Sequence, residues 1–416
     1  MKQLLIIFVL LITLPSNAQQ SISLDECYQL VAKNYPLAKQ TYMLKKQNEL
    51  DTDVITTSKL PQISLDAQAT YQSDVIEFPL AMSGIEPLNK DQYRATVSVN
   101  QLIYNGGATN ASLNLKSAQL KTKQKQVEVT LYQLKQKINQ IYFSVLLAQE
   151  SKSLLTAKET QLKAKLKEVQ SAIANGVALP ASDKILEAEI LKIDQQFQEI
   201  ESNRLTLIKT LSSLISQPLN GATLFQNTLL EVQLDTVLKR PELDLFQLEK
   251  EEITSSENLI CKQNTPKLIG FATGGYGNPG LNILDNSFQS FYTVGVKLNW
   301  KVFDWNSIKR QQESLAINKD IVDNENEIFE LNTNIELEQQ QKEIMKIEGF
   351  IVSDEAIINL RRDVLNAAES QLKNGVITSS EFITEFTNLF EDENTMVKHE
   401  IQLQLAKANY NTIKGQ

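Results

Sequence analysis

Few residues of this 416-residue chain could do chemistry. His399 is the single histidine; it lies in a late helical stretch without partner histidines and reads as a surface residue, not a ligand. Cys27 and Cys261 could pair in an oxidising compartment. No framework surrounds them, and they read instead as two buried free thiols. Gly274-Gly275-Tyr276-Gly277 falls in an alternating, strand-like stretch, where glycine more often marks close packing or a bend than a phosphate cradle. With no nucleophile–base pair and no metal-ligand cluster, neither catalysis nor a cofactor nor a metal is expected. Thr378-Ser379-Ser380-Glu381 has the spacing of a capping box, in which Glu381 bonds back to the helix start. Asn175-Gly176 and Asn374-Gly375 each close a long apolar-periodic stretch, and Asn and Gly accept the left-handed conformation at a helix C-cap. Pro180 then suits the first turn of a returning helix.

The elements that must position these turns are long. Apolar residues recur in steps of three and four at Val127, Leu131, Leu134, Ile138, Ile141, Val145 and Ala148. The phase resumes at Leu155, misses at Glu159, and continues through Leu162, Leu166, Val169 and Ile173. Neither Pro nor Gly occurs between Ala108 and Asn175. This is a coiled-coil seam, and at 1.5 Å per residue the helix is roughly 100 Å long. Such a helix must pack along other long helices. Lys116, Lys121, Lys123, Lys125, Lys135 and Lys137 read as its solvated face.

Residues 1–18 read as a secretory signal: Lys2, an apolar stretch from Leu4 to Leu14, and Ser16-Asn17-Ala18 as the cleavage site. The apolar stretch is too short to span a bilayer, and no run of about 18 apolar residues follows, so any membrane spanning would fall to strands. No Cys follows the cleavage site, so a lipoprotein anchor is not indicated. A formal charge of -9 and 7% aromatic residues argue against nucleic-acid binding.

The chain is a duplication. Pro36 and Pro61 recur as Pro241 and Pro266, an offset of 205. Tyr93–Asn100 matches Tyr292–Asn299, and Asn175-Gly176-Val177 matches Asn374-Gly375-Val376, both at an offset of 199. Four matches in order mark two tandem repeats of helix, strand, strand, long helix and helix. The first covers 19–215, with strands at about 61–73 and 91–104, a long helix at about 108–174 and a return helix at about 180–215. Residues 216–239 join it to the second, 240–416, with strands at about 266–277 and 290–303, a long helix at about 305–373 and a return helix at about 379–412.

In the first strand Ile63, Leu65, Ala67, Ala69 and Tyr71 alternate with polar residues; Tyr93, Ala95, Val97 and Val99 do so in the second. Tyr292, Val294, Val296, Leu298, Trp300 and Val302 do so in the fourth. Strands of about ten residues, each with an aromatic near its end, have the dimensions of membrane β-strands. An open edge in lipid leaves backbone groups unpaired at several kcal/mol each, so the strands must close. Four are too few, since the smallest single-chain bacterial barrels have about eight. Three copies would supply twelve strands above a tube of helices.

At this point the sequence resembles the TolC-like outer-membrane efflux proteins of Gram-negative bacteria, over essentially the whole mature chain. The resemblance rests on Ser23-Leu24-Asp25-Glu26-Cys27 with Asn34-Tyr35-Pro36, on the strand-to-helix junction Leu102-Ile103-Tyr104-Asn105-Gly106-Gly107, and on the paired Asn-Gly-Val turns. It implies a mainly α protein with membrane β: a homotrimer forming a twelve-stranded barrel in outer-membrane lipid and a coiled-coil tunnel across the periplasm. It also implies docking to a periplasmic adaptor (a membrane fusion protein) and an inner-membrane pump of RND or ABC type. Residues 216–239 would girdle the tunnel.

The resemblance also places the two turns, Asn175, Gly176, Val177, Ala178 and Leu179 in one and Asn374, Gly375, Val376 and Ile377 in the other, at the periplasmic tip that meets the adaptor. Their apolar residues would be exposed, as at a partner surface. Family members ring the tunnel entrance with two carboxylates just after the second turn; counted from Gly375 these fall on Glu381 and Thr384, so one carboxylate is kept and one lost, with Glu385 next door. Three copies of Glu381 would favour cations at a constriction. The chain thus reads as a passive exit duct of a tripartite efflux system. The alternatives are the duct of a type I secretion system exporting polypeptides and a structural periplasmic coiled-coil protein.

Overall fold

The computed structural model describes residues 21–76, 87–232 and 237–416. The expected signal segment, part of the first hairpin loop and a short stretch of the inter-repeat segment lie outside those residues. The first repeat holds β1 (Ser21–Ile22), α1 (Leu24–Asn34), α2 (Ala38–Thr57), β2 (Gln62–Tyr71), β3 (Asp91–Tyr104), α3 (Ala108–Ala174) and α4 (Ser182–Ile215). After β4 (Leu224–Phe225) come α5 (Pro241–Gln263), β5 (Lys267–Asn278), β6 (Gln289–Asn299), α6 (Ser307–Lys373) and α7 (Ser379–Lys414). Both long helices have 67 residues. Tyr35-Pro36 breaks the opening helix into α1 and α2, since proline lacks the N–H and disfavours helix in the residue before it. Among the described residues no helix is long and apolar enough to cross a membrane.

The chain divides into two compact units, each drawn from both repeats. One comprises Gln40–Gln126 and Glu242–Glu327 and contains a four-stranded sheet in the order β2-β3-β5-β6, antiparallel throughout. Its register places Ile63, Val99, Ala272 and Val294 in one row, and Leu65, Val97, Gly274 and Tyr292 in the next row on that same face. The opposite face carries rows such as Ser64, Ser98, Thr273 and Thr293. The apolar face lies open: Leu65 is 74% exposed and Tyr292 79%. At the junction into α3, Gly106 and Gly107 take positive φ, and a Cβ at Gly106 would overlap the Thr265 hydroxyl. The matching junction into α6 repeats the conformation with Trp305 and Asn306, non-glycine residues at φ 56° and 59°. Asp304 supports it by accepting from the backbone N–H of Asn306 and Ile308.

The other unit comprises Met1–Lys39, Val127–Pro241 and Ile328–Gln416 and holds two larger cores. The first gathers Cys27 and Val31 of α1, Ile138, Tyr142 and Val145 of α3, Ile208 and Leu211 of α4, and Phe225. Tyr142 donates to the carbonyl of Gln226 at 2.8 Å, tying the inter-repeat segment to α3, while β1 and β4 pair in parallel beside it. The second core joins Leu155, Leu162 and Val169 of α3 to Leu186 and Ile193 of α4, Ala368 of α6, and Phe382 and Phe386 of α7.

Several expectations need correction. The seam does not pass through Glu159: the residue on the inner side is Lys158, buried between Leu155 and Leu162, while Glu159 turns out to pair with Lys163. Burial is affordable because Glu189 of α4 meets the ammonium at 3.1 Å and Phe390 offers its ring face at 4.5 Å. The lysines assigned to a purely solvated face include three with partners: Lys116 pairs with Asp51, Lys125 with Asp244, and Lys135 stacks on Tyr28 and Tyr132. Both thiols are free, but Cys261 is exposed, and only Cys27 is buried, which pushes its thiol up to about 12. His399 is no open surface residue: its Nδ1 lies 2.6 Å from Asp354, beside the ring of Phe350.

Candidate functional site

Both long helices end in the same backbone device. After α3, Gly176 adopts φ 72°, its N–H reaching Ile173 O and that of Val177 reaching Ala172 O at 2.8 Å. After α6, Gly375 adopts φ 69°, with Val376 N–H on Gln371 O at 2.9 Å. In each turn the preceding Asn (Asn175, Asn374) also donates its side-chain amide to the carbonyl four residues back, Ser171 or Ser370. The last carbonyls of both helices are thus satisfied locally. Free of that task, the turn side chains face outward: Val177 is 71% exposed, Leu179 67% and Val376 70%. Ala178 is half-buried. Ile377 does not join the exposed group; it packs against the Leu162–Phe382 core, so the second turn presents one apolar side chain where two were expected.

The returning helices start differently. α4 begins after Ala181, at φ 73° and without a side-chain cap. α7 begins with a complete capping box: Thr378 accepts from Glu381 N–H, and Glu381 accepts from Thr378 N–H at 2.8 Å and from its hydroxyl at 2.9 Å. These bonds from Thr378, backbone first, hold the fully exposed Glu381 carboxyl below its ordinary range. Thr384, exposed, returns its hydroxyl to Ser380 O of its own helix at 3.0 Å. Glu385 is half-buried; Asn388 donates to it at 3.3 Å and Arg361 of α6 lies at 3.6 Å. Of the three constriction candidates, only Glu381 is therefore a charge facing solvent without a cationic partner among the described residues.

Nothing in the sequence pattern announced the ion pairs behind this turn. Arg361 binds Asp392 at 2.9 Å, Arg362 binds Glu393 at 2.9 Å, and Lys165 of α3 binds Glu369 of α6. Each joins residues on different helices, so spacing along one helix could not reveal them. Lys158–Glu189 did leave a trace, as the interruption in the seam. Burial raises the Glu189 carboxyl, and Lys158 with Lys192 more than reverses this, leaving it lowered. Among the described residues no group of histidine, cysteine, aspartate or glutamate could hold a metal ion. The arrangement offers apolar tips and a single carboxylate at the helix start, a surface for contact and ion attraction.

Comparison with known proteins bears on the whole architecture. Residues 47–217 match the outer membrane efflux protein family. No curated protein matches by sequence. Among solved structures, CusC, described as forming a transmembrane channel, superposes with a TM-score of 0.69 at 11% identity, covering 94% of this chain and 92% of CusC. The outer membrane protein VceC of Vibrio cholerae gives 0.67 at 13% identity, covering 94% and 96%. The open state of the MtrE outer membrane channel of Neisseria gonorrhoeae gives 0.64 at 11%, covering 94% and 88%.

Proposed function

We infer that this chain is a TolC-like outer membrane efflux protein and forms the outer-membrane exit duct of a tripartite efflux system. It conducts passively, and an inner-membrane pump and a periplasmic adaptor supply the energy and the selection. The observation that carries this reading is an asymmetry between the two long helices. Among the described residues no large apolar side chain of α3 is exposed, whereas α6 exposes Ile321, Ile328 and Ile335 seven residues apart, then Phe350, Ile357 and Val364 at the same interval. Seven-residue spacing is a coiled-coil seam, and among the described residues most of this one lies open, with Phe350 alone of the six set against a ring, that of His399. α2 buries no residue and exposes Met43, Leu50 and Val54.

The sheet is incomplete in the same sense. β2 and β6 are its edges, and they run antiparallel to each other, so β6 of one copy beside β2 of the next continues an all-antiparallel order. Three copies close a twelve-stranded barrel with the apolar face toward lipid. The exposed Val177, Leu179 and Val376 then form the adaptor surface, and Glu381 rings the entrance. The test is a cross-linked pull-down from cells. Replacing Val177, Leu179 and Val376 by Ser is expected to remove the adaptor and pump from the captured material while the oligomer persists. Unchanged capture would remove the tips from the partner surface.

A further inference from the structure

We propose that the polar face of the sheet carries a contact site for planar aromatic anions, built from Phe291, Arg94 and the glycines between them. The proposal rests on the barrel reading, in which that face lines the lumen. Phenylalanine is out of place among the Gln, Asn, Ser and Thr of this face, yet it occurs twice, each time directly opposite a glycine: Phe271 opposite Gly295, and Phe291 opposite Gly275. A Cβ on either glycine would collide with the facing ring, so each ring lies flat across the neighbouring strand. Each ring is held against the backbone of the facing glycine and stays half-buried on the polar face.

Phe291 has a cationic neighbour. Arg94 stands on β3 opposite Gly277 of β5, and with no side chain at Gly277 its guanidinium crosses β5 to lie 5.7 Å from the Phe291 ring centre. Arg94 is exposed and has no carboxylate partner among the described residues; Asp66, in the row of Phe291, bonds Ser64 at 3.5 Å instead. The matching rows of the first repeat carry Asp66 with Thr96 and Thr70 with Gln92, so the site belongs to the second repeat alone. The half-buried ring with the guanidinium over it offers flat surfaces for stacking, and the guanidinium offers paired donors to a carboxylate or sulfonate. A ligand that is both flat and anionic satisfies the two together.

The test uses the purified full-length protein in planar bilayers, with 2-naphthalenesulfonate and hexanesulfonate as blockers added from the hairpin side. Naphthalenesulfonate is expected to block at about tenfold lower concentration than hexanesulfonate, from one stacked ring. Phe291→Leu, which still covers Gly275, should abolish that difference and leave hexanesulfonate unchanged; Arg94→Gln should weaken both. Equal block by the two probes in the parent, or a Phe291→Leu effect on both alike, would overturn the site while leaving a conducting duct. A parent protein that carries no current would overturn the duct reading and this site with it.

Discussion

Lys158 is buried in the core that joins α3, α4, α6 and α7, and its ion pair with Glu189 is a register device. Its ammonium is satisfied only when Glu189 of α4 lies opposite, so sliding either helix by one turn would bury a bare charge. Lys158→Leu is expected to cost about 3 kcal/mol, because Glu189 is left in the core with only the exposed Lys192. Adding Glu189→Leu should return most of that loss. Denaturant midpoints of the two variants check both. A seam pattern can announce a break, here the miss at Glu159, but consecutive residues compete for the inner position, and Lys158 takes it. In the duct proposed above, Glu381→Gln should lower cation preference in bilayer recordings, and the helix start should survive because glutamine also completes a capping box. Unchanged selectivity would leave Glu381 as a cap alone.

The repeated strand-to-helix junction shows how one backbone path is met by two residue choices. Gly106 and Gly107 enter α3, and Trp305 and Asn306 enter α6, all at positive φ. Asn306→Gly is expected to stabilise by about 0.5–1 kcal/mol through relief of left-handed strain. Gly106→Ala should be worse than Gly176→Ala, since Gly106 adds a collision with Thr265 whereas Gly176 faces open space and costs only about 1–2 kcal/mol. Thermal unfolding of the three variants tests the order. The junction was visible in the sequence as Asn105-Gly106-Gly107. Its second copy was not, because Trp305 and Asn306 carry no glycine signature. The helix periodicity and the alternating segments were legible because each depends only on neighbours in sequence. The pairing of Lys116, Lys125 and His399 with distant carboxylates depends on packing and was not.

At the scale of the molecule, the duplication explains why two helices of equal length and two hairpins serve one sheet and one bundle. The two copies have diverged in what they bury. The large apolar side chains of α3 are covered within the chain, whereas α6 and α2 leave rows of them exposed, which the proposed trimer would cover. An open sheet with an apolar face and two unpaired edges is unsustainable in lipid or water. Closure by three chains resolves the seams and the edges at once. The native mass of the protein, extracted in mild detergent from purified outer membranes, tests this most directly. Three chains per particle is the expected result. A monomer or dimer recovered from the soluble periplasmic fraction would contradict the shared barrel and the duct built on it.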